Sequence, residues 1–216
     1  LIEEIADKGK ELARDMYGLN GWAIHHNISI WREAYPSDGF VYWFFWNMSG
    51  PWLCNHIWEH YLFTKDVDFL KKYYPILKGS ATFCSEWLIE NSKGELVTPV
   101  STSPENAYLM PDDTPASVCE GSTMDIAIIR SLFSNTIEAS KILQTDRDFR
   151  SELIKKRSKL KGYQIGSKGQ LLEWDKEYKE SEPQHRHVSH LFGVYPGCDI
   201  TDNTPELFKA ARKSLN

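Results

Sequence analysis

Glu105 is the side chain in this sequence best set up for acid chemistry. It stands in VTPVSTSPENAY, Val97 to Tyr108, among small hydroxyl residues and prolines. Pro104 fixes its own φ and pushes Ser103 towards an extended conformation, so the loop is stiff and aims Glu105 and Asn106 in one direction. A carboxyl group held that way suits general acid catalysis, provided burial or nearby negative charge keeps its proton on. The same letters also suit an Asx or ST turn, in which Ser103 or Glu105 only caps the segment that follows. This window by itself leaves both readings open.

Three other constellations carry chemistry. His25, His26 and Asn27 sit in an aromatic-rich stretch, GWAIHHNISIWREAYPSDGFVYWFFW, with Trp31, Trp43 and Trp46. Polar groups among so many rings are either hydrogen-bonded in a core or are contacts in a cleft. Towards the other end, EPQHRHVSHLFGVYPG sets Arg186 between His185 and His187, with His190 one turn further on. Between them lies HIWEH, which has the H-x-x-E-H spacing of a zinc peptidase and puts His56, Glu59 and His60 on one helix face. That motif competes with a plain polar face packed against neighbouring loops, and no mixed sheet of the kind such peptidases use is visible.

Composition narrows the field. A chain of 216 residues with 41% hydrophobic and 25% charged residues is globular, which excludes disordered and collagen-like classes. A net charge of −5 without a basic run argues against nucleic acid. Aromatic residues make up 13%, more than a helical core requires, and ring faces that stack on sugar C–H surfaces are one use for the excess. Cys54, Cys84, Cys119 and Cys198 form no CxxC or His/Cys cluster, so neither a zinc site nor a disulfide framework can be read from them; Cys54 and Cys84 fit buried free thiols. No membrane partner is implied, because no stretch reads as a span or a signal peptide.

The elements that must position these residues are mostly helical. The spacing predicts a first helix from about Ile2 to Tyr17, stopped at Gly18 by a left-handed residue. An amphipathic helix is expected from Pro51 to Phe63. A short helix at Asp66 to Tyr73 should give way at Pro75 to a second one reaching about Ile89, the two forming an antiparallel pair. Met110 to Gly121 should be a surface segment. Ser122 should cap the clearest helix, with Asp125 as its capping-box partner and Ile126, Ile129, Phe133, Ile137 and Ile142 keeping the period to about Leu143. Asp146 opens a further helix ending near Leu160, YQIGSKGQLLEW reads as a small hairpin, and Pro205 begins the last helix. Repeated helical hairpins with functional loops at one end, and no repeat of fixed period, favour an α/α toroid over a solenoid.

Taken together, GWAIHHNISIW, WNMSGPWLCNHIWEHYLFTKD, YPILKGSATF, STSPEN, STMDIAIIRSLFSNTIEAS and HRHVSHLFGVYPG closely resemble the catalytic domain of glycoside hydrolase family 95, the family of the inverting 1,2-α-L-fucosidases and some α-L-galactosidases. The resemblance runs over nearly the whole chain in order. It implies an all-α fold, a partial (α/α)6 toroid of the six-hairpin glycosidase kind with a small β-hairpin, and residues 1–216 as a piece of one catalytic domain truncated at both ends.

By the same resemblance, Glu105 is the general acid, while His25, His26, Asn27, Trp46, Asn106, Arg186 and His187 bind substrate. The base is expected to be an asparagine polarised by an aspartate, both outside this sequence. An inverting glycosidase needs that base at about 6.5–9.5 Å from the acid, to leave room for water. The implied partners are a fucosylated oligosaccharide or glycan and the rest of the chain's own catalytic domain; no cofactor and no metal is expected, and the parent is expected to be secreted or periplasmic. WNMSG stands where WPMGG is usual and HHNISIW where HHNTDLW is common, so Ser29, Asn47 and Ser49 bear on the shape of the pocket. Fucose against L-galactose stays open, because the sugars differ only at C6. The competing readings are a carbohydrate-binding fragment that turns nothing over, and the zinc peptidase of HIWEH.

Overall fold

The computed structural model describes residues 1–216. About half of the chain is helical, and strands are confined to two-residue pairs. In order, the elements are α1 (Ile2–Tyr17), α2 (Val41–Phe44), α3 (Ser49–Thr64), α4 (Val67–Trp87), β1 (Ile89–Glu90), β2 (Leu96–Val97), β3 (Tyr108–Leu109), β4 (Pro115–Ala116), α5 (Thr123–Ile142), α6 (Arg147–Lys159), β5 (Lys179–Glu180), a 3-10 turn at Ser189–Gly193 and α7 (Pro205–Ser214). The fold is all-α, with α3 and α4 and then α5 and α6 folding back on each other through short connections, as in part of an (α/α)6 toroid.

The start of the chain behaves as its spacing demands. α1 buries Ile5, Ala6, Gly9, Leu12 and Ala13 and ends at Gly18, whose φ of 65° turns the chain out of the helix. The next buried residue, Trp22, then locks three helices together. Gly9 of α1, Gly50 of α3 and Gly79 of α4 all face its indole, and a Cβ at any of them would come within 3.0, 2.7 and 2.9 Å of the ring respectively. Its Nε1–H donates to the Ile76 carbonyl of α4 at 2.8 Å, so the one polar atom of the ring is satisfied where it is buried.

α4 departs from expectation. Pro75 does not start a helix but lies inside one that runs unbroken from Val67 to Trp87, capped by Asp66, whose carboxylate accepts from Phe69 N–H at 2.9 Å. An internal proline costs about 3 kcal/mol. Leu70, Tyr74 and Leu77 are buried on both sides of it, and that packing outweighs the missing hydrogen bond. The antiparallel pair is therefore α3 with α4, joined by a turn in which Lys65 is left-handed.

α5 is the central helix, packed on α3, α4, α6 and the 3-10 turn. Ile126, Ile128, Ile129, Leu132, Phe133 and Ile137 are buried, whereas Ile142 at its end is exposed. Ser122 is its N-cap, but Asp125 does not close a capping box: Ser122 N–H donates instead to Ser101 Oγ at 3.0 Å, and the Asp125 carboxylate turns inward. Asp146 precedes α6 in a left-handed conformation without a side-chain cap, and Lys78 holds its carboxylate at 2.8 Å. Pro205 begins α7 as expected.

The β structure is sparse. β1 pairs with β2, and β3 is the middle strand between β4 and β5, every pairing antiparallel. The GSKG turn closes with a single bridge, Ile165 to Leu171, rather than a ladder. Met110 to Gly121 is only partly a surface segment, since β4 lies in it and Cys119 and Gly121 are buried.

Cys54, Cys84 and Cys119 are buried free thiols, while Cys198 is exposed. Burial pushes Cys54 up to about 12 and Cys84 well above the ordinary thiol value, so neither forms the reactive thiolate at neutral pH. A thiol reagent at pH 8 should therefore label one cysteine, Cys198, in the folded chain and four after denaturation. Rapid native labelling of Cys54 or Cys84, located by peptide mapping, would contradict this packing.

Candidate active site

Loops and helix starts from four parts of the chain meet over one cavity of about 350 Å³. Its lining includes His26, Trp46, Trp52, Glu105, His187 and Phe192. Glu105 lies on its rim, half-buried, with Oε2 accepting from Arg186 Nη2 at 2.5 Å and lying 3.4 Å from His187 Nε2. Residues 81 and 82 positions apart in the sequence thus converge on one carboxylate oxygen.

The wall opposite is aromatic. Trp46 is buried and stands edge-on to Trp52, with ring centroids 5.8 Å apart, and Trp52 is edge-on to Phe192 at 5.9 Å. His26 is edge-on to Trp46, and its Nδ1–H donates to the Trp43 carbonyl, which fixes the ring orientation. Such a pocket, apolar on one side with a few convergent polar groups on the other, is the ordinary form of a small-molecule site.

Other expected site residues lie elsewhere. His25 is buried behind the site: its Nε2 is 2.6 Å from the Tyr17 hydroxyl and its ring stacks with Tyr17. Burial pushes its pKa down to about 4, so the imidazole is neutral where it meets the Tyr17 hydroxyl. Asn27 is exposed, left-handed at φ 71°, and donates to Ser37 Oγ at 3.3 Å. Asn106 turns away from the cavity and donates from Nδ2 to Glu173 at 3.0 Å. The histidine pair thus divides, one into the core and one onto the cavity.

HIWEH lies away from the cavity, on α3. His56, Glu59 and His60 are exposed, His60 stacks on Phe69 with centroids 3.9 Å apart, and no three His, Cys, Asp or Glu side chains in the chain are grouped so as to hold a metal ion.

Two buried carboxylates to which the sequence reading gave no part in the site support it: Asp125, expected only as a helix cap, and Glu173. Asp125, 1% exposed, accepts from Trp46 Nε1 at 2.8 Å and from Ser101 Oγ at 2.5 Å. It thereby joins the aromatic wall to the start of the Glu105 loop. Desolvation pushes its pKa up to about 6, against the pull of those donors. Glu173 follows the GSKG turn and accepts from Ser103 Oγ at 2.6 Å and from Asn106 Nδ2 at 3.0 Å. Burial raises its pKa, and the same two donors oppose the rise. A polar letter at a buried position of a strongly periodic helix was the available signal for Asp125; nothing local marks Glu173.

Because Asp125 has a raised pKa in the folded state, its buried charge costs stability above pH 6, and the folded chain takes up the proton first as the pH falls. Wild type should therefore gain stability relative to Asp125→Asn, by about 1 kcal/mol, between pH 7 and pH 5. Paired urea melts at the two pH values measure it. A difference between the two proteins that does not change with pH would show that Asp125 does not titrate there.

The whole chain, residues 1–216, matches the model of the glycosyl hydrolase family 95 catalytic domain. It is 43% identical over 217 residues, 99% of its length, to a protein of Arabidopsis thaliana named alpha-L-fucosidase 2. It is 30% identical over 208 residues, 93% of its length, to a probable alpha-fucosidase A of Aspergillus niger. A probable alpha-fucosidase A of Aspergillus oryzae is 32% identical over 134 residues, 58% of the chain and 17% of that protein. The chain spans about a quarter of the length of the first two relatives, 26% of each. By the extent of its match to the family's catalytic domain, this chain belongs to glycosyl hydrolase family 95.

Proposed function

We propose that this chain is part of a larger catalytic domain that hydrolyses terminal α-L-fucosyl linkages, α-1,2 bonds in particular, with inversion at the anomeric carbon. The observation that carries the reading is the convergence of Arg186 and His187 on Glu105 at the rim of an aromatic-walled cavity. Glu105 is the general acid in this reading, delivering its proton to the departing glycosidic oxygen. Only Oε2 of Glu105 is engaged by Arg186 and His187, and sugar hydroxyls that took over those donors would leave the carboxyl free for the leaving group. Trp46, with its Nε1–H committed to Asp125, presents ring rather than donor to the sugar. The apolar surfaces of Trp46, Trp52 and Phe192 suit the C6 methyl of fucose better than a hydroxymethyl group, which would need a partner.

The water-activating base belongs to the remainder of the domain in this proposal. Exposed apolar side chains such as Ile30, Trp31, Phe40 and Phe63 fit a chain with further protein packed against it. The substrate is then a fucosylated oligosaccharide or glycan, held between this chain and that remainder.

The test uses the full-length protein and 2′-fucosyllactose. Free fucose should appear, first as the β anomer by NMR, and Glu105→Gln should lower kcat by about 10²–10⁴-fold with a small change in KM. The 216-residue chain alone should release none. Normal turnover by the Gln variant would remove Glu105 from its role, α-fucose as first product would remove inversion, and turnover by the isolated chain, abolished by Glu105→Gln, would place the base within these residues.

A further inference from the structure

Glu173 stands behind the loop that carries Glu105 and bonds to it on both sides. Its Oε1 accepts from Ser103 Oγ at 2.6 Å, two residues before Glu105, and its Oε2 accepts from Asn106 Nδ2 at 3.0 Å, one residue after. Between these two points Ser189 Oγ donates to the Pro104 carbonyl at 2.5 Å, and Asn106 N–H donates to the Ser103 carbonyl at 2.8 Å. The loop is therefore gripped at 103, 104 and 106, and the side chain of Glu105 is the one left to face the cavity.

The grip is referenced to the central helix. The Glu173 carbonyl accepts from Thr123 N–H at 3.0 Å, the preceding Leu172 carbonyl accepts from Thr123 Oγ1 at 2.6 Å, and Thr123 is the first residue of α5. Both supports of the site are thus anchored in the first turn of one helix: Asp125 holds Trp46, and Thr123 docks the segment that bears Glu173. A half-exposed clamp of this kind would be weak, but the Glu173 side chain is only 14% exposed, and charge-assisted bonds made out of water are short and directional.

We propose that Glu173 is a positioning residue for Glu105, holding the acid loop through Ser103 and Asn106 so that the Glu105 carboxyl meets the glycosidic oxygen. This rests on reading Glu105 as the general acid. Glu173 does not itself reach substrate in this arrangement. The groups facing it are His190, whose Nδ1 lies 3.8 Å away and which burial keeps neutral, together with His185 and Glu180; Arg186 and His187 face Glu105 instead.

The test is a double-mutant comparison in the full-length protein, with 2′-fucosyllactose and with α-L-fucosyl fluoride, whose leaving group departs without a proton. Glu173→Ala should lower kcat on fucosyllactose about 10²-fold, the loss expected for a misplacement of about 1 Å, with KM nearly unchanged. Hydrolysis of the fluoride should hold close to wild type, and Glu105→Gln with Glu173→Ala should be no slower than Glu105→Gln alone. A fully active Glu173→Ala, equal losses on both substrates, or losses that multiply in the double variant would each overturn the proposal. If the Ala variant does not fold, Glu173→Gln, which keeps the shape but replaces one acceptor by a donor, carries the same comparison. A Glu105→Gln variant that is itself fully active defeats the reading of the acid, an outcome distinct from a dead Glu105→Gln beside an unaffected Glu173→Ala, which removes Glu173 alone.

Discussion

A carboxylate buried from water must find donors, and the donors of Asp125 are what bring the site together. They come from Trp46 before α3 and from Ser101 at the start of the Glu105 loop, segments 79 and 24 residues away in the sequence. Loss of either donor would leave a buried charge partly unsatisfied, which costs more than the bond itself contributes. The aromatic wall and the Glu105 loop are therefore not independent: one side chain on α5, the most buried helix of the molecule, holds both.

The helices supply the rigid frame for that arrangement. Trp22 fills the space between α1, α3 and α4, and the three glycines around it leave no room for a larger residue. Close approach of this kind fixes the positions of α3 and α4, and α5 packs on both. The site is then assembled at one end from residues just before or just inside the first turns of α3 and α5, and from loops without regular structure. Loops of this sort can be precise only when they are tied down, and here Asp125, Glu173 and Ser189 each tie down a different point.

The charge distribution at the cavity has a clear polarity. Arg186 and His187 converge on a single carboxylate oxygen of Glu105, while the aromatic wall is built of Trp46, Trp52 and Phe192, with the Trp46 Nε1–H taken by Asp125. Polar contacts for a ligand are thereby concentrated on the face that also carries the candidate acid. The second polar cavity, behind the loop, shares His187 with the first and is lined by Asn106, Glu173, His185 and His190. Glu173 belongs to that rear face, and its hydrogen bonds go to Ser103 and Asn106 of the loop rather than to the Glu105 carboxyl.

The sequence alone determined the features set by local rules. Helix periods, the Gly18 stop, the Ser122 cap and the Pro205 start follow from backbone preferences that act over a few residues, and the shared motifs placed the chain in its family before any coordinates. Tertiary structure decided the rest. Pro75 stays inside α4 because packing on both sides outweighs a local penalty, and Asp125 leaves its capping role because burial offers it Trp46 and Ser101. His25 and His26, adjacent and chemically identical, part company because their neighbours differ: Tyr17 and Phe45 enclose His25 in the core, while His26 stands against Trp46 at the cavity. Glu173 has no local signature at all: a long-range hydrogen bond leaves no trace in the letters beside it, and only the folded chain brings residue 173 to residues 103 and 106.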